Sequence, residues 1–207
     1  MVAEYLKGLA RFIVRHLPYG TVFLDTRKTM NPLTLSMLFM QKVVGINRRA
    51  YWPMHFTSMV THPENVYVGV DCCPGGSPGC YIQGNGKVYL GHYTQIGPNV
   101  GIISANHDPY DMRRHVPWVV KIGDYCWIGM NAVILPGVEL GDFTIVGAGS
   151  VVKRSFPEGY AFVNGKPAEL VKRLDRELFT RFTNEHEYHG YIKASDFGMF
   201  RRDHLNV

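Results

Sequence analysis

Four cysteines occur in the 207 residues, at Cys72, Cys73, Cys80 and Cys126, and no two stand at the CxxC spacing of a zinc site. No stretch reaches the roughly 18 consecutive apolar residues that a membrane-crossing helix needs. No block of Lys and Arg is longer than two residues, and the formal net charge is only +5. That charge argues against nucleic-acid binding, while a small anionic ligand accounts for a mild positive excess. With 46% hydrophobic and 19% charged residues, the composition is that of a globular protein rather than a disordered one. No cleavable signal peptide is visible, so the expected compartment is the cytoplasm.

What is present is a period of six. An aliphatic residue returns at Leu90, Ile96 and Ile102, then at Val116, Ile122, Ile128, Ile134, Leu140, Val146 and Val152. Glycine follows directly at Gly91, Gly97, Gly123, Gly129, Gly141 and Gly147. Four places after the aliphatic comes mostly a small or β-branched residue, such as Thr94, Cys126, Ala132, Val138, Thr144 or Ser150. Neither the 3.6 period of a helix nor the 2.0 period of an ordinary strand gives this pattern. It predicts a β-helical solenoid of short strands and bends, three units to a triangular turn. The leading aliphatic and the small fifth residue point inward, and glycine relieves crowding at the bend. Four to five coils are expected over residues 66–152, because neighbouring coils supply burial that one coil cannot.

The register breaks once. After Ile102 the next inward slot is Asp108, yet the pattern resumes at Val116 rather than at position 114. The chain therefore leaves the prism through Asp108 and returns near His115, with Asn106, His107 and Asp108 at the root of the excursion. A polar loop interrupting a regular scaffold is where function concentrates.

The flanks divide the chain into an N-terminal helical extension (residues 1–60), a β-helix (61–165) and a C-terminal helix with a tail (166–207). Residues 2–17 place Leu6, Leu9, Ile13 and Leu17 at helical spacing, and residues 33–46 form a second amphipathic candidate starting at Asn31 and Pro32. Both can pack on the solenoid; a basic amphipathic contact with an anionic membrane is the alternative. Residues 168–182 read as a helix, with Leu170, Leu174 and Leu178 on one face.

Three segments then meet a known family: I-I-S-A-N-H-D at residues 102–108, the stretch 125–148 with W-I-G and I-L-P-G-V, and the stretch 149–173 with G-S-V-V and G-K-P-A. Together they resemble the hexapeptide-repeat acyltransferases, most nearly the sugar O-acetyltransferases of cell-surface polysaccharide synthesis. The resemblance covers about half the chain. It implies an all-β solenoid, a left-handed parallel β-helix, whereas the general rule for parallel crossovers gives the right hand. It also implies acetyl-CoA as co-substrate, a sugar hydroxyl or amine as acceptor, no metal, and a homotrimer with sites shared between subunits.

On that resemblance His107 is the catalytic base. An acceptor hydroxyl is a poor nucleophile until a base takes its proton, and an imidazole titrating near neutrality suits the task. Asn85, Asp108 and His115 are candidates for the acceptor side, Asp108 either orienting the imidazole or turning the chain before Pro109. For the cofactor, Trp127, Met130, Gly147 and Ala148 match positions that line the pantetheine groove. Lys153, Arg154, Lys166 and Lys172 are candidate partners of the CoA phosphates. His92, third in its hexad, is expected to point into solvent. Two other readings compete. A zinc hydratase would need three converging histidines, and a scaffold would need no catalytic histidine.

Overall fold

The computed structural model describes Gly8 and residues 12–207. Three parallel sheets carry the repeats. The first holds Met59–Thr61, Tyr81–Gln83, Gly101–Ile103, Val133–Ile134 and Val151–Val152; the second holds Val66–Val68, Lys87–Leu90, Val119–Ile122 and Glu139–Leu140. The third holds Gln95–Ile96, Trp127–Ile128, Thr144–Val146 and Ala161–Gly165, with Ala168–Arg173 added antiparallel at its end. From Lys87 onward the chain visits the second, third and first sheet in turn. Partners on adjoining coils are separated by three hexads, as in Trp127 with Ile145 and Val133 with Val151. Each inner strand of the three sheets bonds to a strand on either side, which satisfies its backbone groups.

Nine of the ten leading aliphatics lie inside, none more than 6% exposed, and Cys126, Ala132, Val138, Thr144 and Ser150 join them. The tenth, Val116, is 39% exposed and stands in a hairpin, not in the prism. Its place in the period is a coincidence of length. Across the excursion the partners are Gln95 with Trp127 and Gly101 with Val133. Compared with a regular coil, that separation is longer by two whole hexads and two positions more. The prism resumes beyond Val116, where the Trp118 N–H donates to the Ser104 carbonyl at 2.7 Å and Val120 is fully buried.

The flanks differ more from expectation. The paired strands begin at Met59, earlier than residue 66. Residues 168–182 are not a helix: Ala168–Arg173 is a strand folded back on Ala161–Gly165. Gly165, at φ 110°, turns the chain there, and the leucines that look helical by spacing lie at the surface instead. The C-terminal helix is Ala194–His204, in the polar tail, anchored by Phe197 against the rings of Tyr51, Tyr67 and His189. Near the N-terminus, Gly20–Asp25 is helical, and Leu35–Leu38 runs into a π-helical turn, Phe39–Val44. Thr34 accepts from the Met37 N–H and caps that second helix. The amphipathic segment at residues 2–17 lies largely outside the described residues.

The corner between the second and third sheets holds a feature not anticipated from the repeats. Tyr93, Tyr125, Phe143 and Tyr160 all adopt left-handed backbone conformations, between φ 44° and 58°. Their rings stack in a column at 4.9–5.1 Å. Aromatic residues rarely take this conformation, and ring stacking one coil upon the next offsets its cost. Phe179 and Phe182 cover the column, and the Arg181 guanidinium lies 5.1 Å from the Phe143 ring centre.

Candidate active site

The inserted segment is an antiparallel hairpin, Ala105–His107 paired with His115–Pro117. It leaves the prism at the corner between the first and second sheets, and one half-buried side chain fixes its root. The Gln83 Oε1 accepts from the N–H of Ser104 at 3.1 Å and of Ala105 at 2.8 Å. Ser104, fully buried, accepts from the Gly86 N–H at 2.9 Å and donates to the Gln83 carbonyl. A Cβ at residue 86 would lie 2.1 Å from the Trp118 carbonyl oxygen, so the hairpin can sit on this corner only because glycine is there. Gln83 and Ser104 lie outside the sequence-level set. Their spacing in the chain carries no signal, since the contact is made between coils.

The hairpin sets His107 directly opposite His115, with ring centres 4.3 Å apart. The His107 Nδ1 is 2.6 Å from the Met112 carbonyl oxygen. A carbonyl only accepts, so Nδ1 carries the hydrogen, and in the neutral ring Nε2 keeps its lone pair. The carbonyl thereby fixes the orientation of the ring, and His107 is exposed on the hairpin. Asp108 does not orient it. The Asp108 carboxylate accepts from the N–H of Tyr110 at 2.8 Å and so turns the chain. Asp111 holds the tip through its pair with Arg113 at 2.8 Å, and the Arg113 pairing keeps the Asp111 carboxyl below its ordinary value.

Asn85 lies on the corner beneath the hairpin, between Gly84 and Gly86, and its Oδ1 accepts from the Thr61 hydroxyl at 3.1 Å. Trp127 points outward from the third sheet and is exposed, as are Met130 and Ala148 on the next corner, one directly over the other in register. The Gly147 N–H is bonded to the Val163 carbonyl at 2.9 Å and is not available to a ligand. Lys166 joins this corner: its Cε is 4.0 Å from where a Gly149 Cβ would lie. Lys172 is exposed on the strand that folds back. Lys153 is exposed after the last strand of the first sheet, while Arg154 is held in an ion pair with Glu169 and lies 5.3 Å from the Phe156 ring centre. The structure thus groups Met130, Ala148 and Lys166, and separately groups His107 with His115.

His92 is not solvated as expected: half-buried, its Nδ1 accepts from the Val70 N–H at 3.0 Å. Among the described residues no three His, Cys, Asp or Glu side chains converge as metal ligands. All four thiols are buried and unpaired, and burial pushes Cys126 and Cys73 up to about 12. Such thiols are poor nucleophiles at neutral pH, which disfavours a covalent cysteine intermediate.

The family model described as bacterial transferase hexapeptide (six repeats) matches residues 120–154. The chain is 35% identical over 116 residues to the "putative acetyltransferase" YJL218W of Saccharomyces cerevisiae, covering 54% of this chain and 57% of that protein. It is also 35% identical over 104 residues to the "putative lipopolysaccharide biosynthesis O-acetyl transferase" WbbJ of Escherichia coli K12, covering 44% and 53%. The chain thus spans about half the length of the curated relatives it matches. Among solved structures, a galactoside acetyltransferase in complex with coenzyme A superposes with TM-score 0.58 at 20% identity, covering 81% of this chain and 86% of that one. A maltose O-acetyltransferase from Clostridium difficile 630 superposes with TM-score 0.53 at 24% identity, covering 71% and 82%. At these identities the structural likeness speaks for the fold.

Proposed function

We propose that this chain, a hexapeptide-repeat protein of the acyltransferase type, moves an acetyl group from acetyl-CoA to a sugar hydroxyl, with His107 as general base. The observation that carries the reading is the His107 Nδ1 to Met112 carbonyl bond, which leaves Nε2 as the acceptor nitrogen on an exposed hairpin. In the reaction, Nε2 takes the acceptor's hydroxyl proton as the oxygen attacks the thioester carbonyl. The tetrahedral intermediate then collapses, the C–S bond breaks, and the imidazolium returns the proton to the departing CoA sulfur. An amine on an amino sugar can serve as the acceptor by the same steps.

Acetyl-CoA is assigned to the corner of Met130, Ala148 and Lys166, with Trp127 alongside and the ammonium of Lys166 toward the phosphates. Lys153, Arg154 and Lys172 are further phosphate partners, and Arg154 would first have to leave Glu169. Gly147 contributes its small size there, since its amide is already bonded. Asn85 and His115 are assigned to the acceptor side, a reading supported by Asn85 lying on the corner beneath the hairpin and His115 lying opposite His107. The prism winds left-handed in this reading, and three chains assemble so that each hairpin faces a neighbour. The exposed apolar side chains of Val116, Trp118 and Val119 along the hairpin's return support that assembly. A role in cell-surface polysaccharide synthesis is supported by the similarity to the Escherichia coli relative, whose name gives lipopolysaccharide biosynthesis.

The test is direct. The purified protein is incubated with acetyl-CoA and panels of glycosides, nucleotide sugars and lipid-linked sugars, and products are read by mass gain of one acetyl group. Acetylation of a sugar in any panel supports the reading. Thioester turnover with no sugar acetylated in any panel contradicts it.

A further inference from the structure

The chain's net positive charge arises in its first fifty residues. Positions 1–50 hold eight Lys and Arg against two acidic residues, a net of +6, so the rest of the chain sums to −1. The same end carries an apolar helix face that nothing among the described residues covers. On the helix formed by Leu35–Leu38 and Phe39–Val44, the side chains of Leu35, Phe39, Val43 and Val44 are each more than half exposed.

This outward face is held in place. On the opposite side Gln41, 1% exposed, donates to the carbonyls of Asn47, Ala50 and Trp52. Its Oε1 accepts from the Met54 N–H and the Tyr191 hydroxyl. Turning the apolar face inward would break this whole buried set, and each orphaned polar group would be costly. The π turn, closed by the Gly45 N–H to Met40 carbonyl bond at 3.0 Å, widens the helix by a residue, so that Val43 stays on the side of Leu35 and Phe39. Cations adjoin the face: Arg48 and Arg49 are exposed just beyond the helix, Arg49 within 3.2 Å of Glu64, while Lys42 turns the other way, its ammonium 4.2 Å from the Tyr191 ring centre.

We propose that this rigid apolar helix face with its surrounding cations docks the protein on the surface of an anionic lipid bilayer. A bare apolar face would fit another protein as well, but the net positive charge at the same end of the chain is complementary to acidic headgroups, and cation and apolar contacts add in such binding. No helix among the described residues is long and apolar enough to cross a membrane, so the contact is one of lying on the surface. The inference is independent of the acetyl-transfer reading.

Flotation of the full chain with vesicles tests it, using equal parts phosphatidylglycerol and phosphatidylcholine against phosphatidylcholine alone. Binding to the first and not the second, weakening with salt, is expected. F39E/V43E should lower affinity at least ~10-fold, and R48A/R49A about fivefold for each charge removed. Both variants alter exposed residues, and unchanged melting curves establish that they fold. Absence of binding, equal binding to both vesicles, or full affinity in F39E/V43E would overturn the proposal. So would light scattering showing that F39E/V43E breaks an oligomer while anionic-vesicle binding is retained, which would assign the face to a second copy.

Discussion

Ile134 and Val116 occupy the same slot of the hexad period, yet replacing each by alanine should have very different consequences. Ile134 is fully buried, stacked between Ile102 of the coil before and Val152 of the coil after. Ile134→Ala removes three carbons, about 2.4 kcal/mol at ~0.8 kcal/mol for each buried methylene. The neighbouring coils are held apart by their own ladder hydrogen bonds and cannot close the cavity, which raises the expected loss to about 3–4 kcal/mol. For a chain of this size that is a fall in Tm of roughly 6–16 °C. Val116 is 39% exposed on the hairpin, so Val116→Ala should stay within about 0.5 kcal/mol, or roughly 2 °C. Urea titration followed by circular dichroism, with calorimetry for Tm, measures both. Equal losses at the two positions, or the larger loss at Val116, would refute the length assigned to the insertion and the coil register built on it.

Three further outcomes are expected. Gln83→Ala leaves two amides without their acceptor at the hairpin root, so kcat should fall at least ~10-fold, while Gln83→Glu, which keeps an acceptor oxygen, should restore most of it; equal kcat in both would contradict a positioning role. His189 is pushed below its ordinary value by burial, with His92 acting the same way, so its neutral form favours the fold above the unfolded value of about 6.5 and that stability is lost as pH falls from there toward the depressed folded value. Tm should therefore decline between pH 7 and 5, less steeply in His189→Gln, and an unchanged slope in the variant would assign the decline to other groups. Lys166→Ala should raise the KM for acetyl-CoA several-fold with kcat nearly kept, because a phosphate contact binds ground and transition states alike; steady-state kinetics with varied acetyl-CoA reads it.

The prism was legible in the sequence because its physics is local and periodic: a buried slot in every hexad takes an aliphatic, and the place after it in the second and third sheets, packed against the next coil, takes glycine. The insertion was legible as a break, but its length was not, since two whole hexads within it leave the phase changed by only two. That is why Val116 looked like a core residue. Residues 168–182 misled for a different reason. Leu170, Leu174 and Leu178 fall at helical intervals, while the deciding feature is the turn at Gly165, which lets the next strand pair with the last one. Gln83 and the buried Gln41 act through contacts between distant segments, to which no spacing rule applies. The aromatic column was within reach: Tyr125 and Phe143 stand three hexads apart, one coil, the same interval that relates the aliphatics.

The central claim is that a single imidazole, oriented by the Met112 carbonyl, takes the acceptor's proton. Steady-state kinetics of His107→Ala and His115→Ala on an acetylated acceptor test it most directly. The account expects His107→Ala to lose about 10²–10⁴-fold in kcat with the KM for acetyl-CoA little changed, and His115→Ala to keep most of its turnover. Near-normal turnover in His107→Ala, with the large loss falling on His115→Ala, would contradict it.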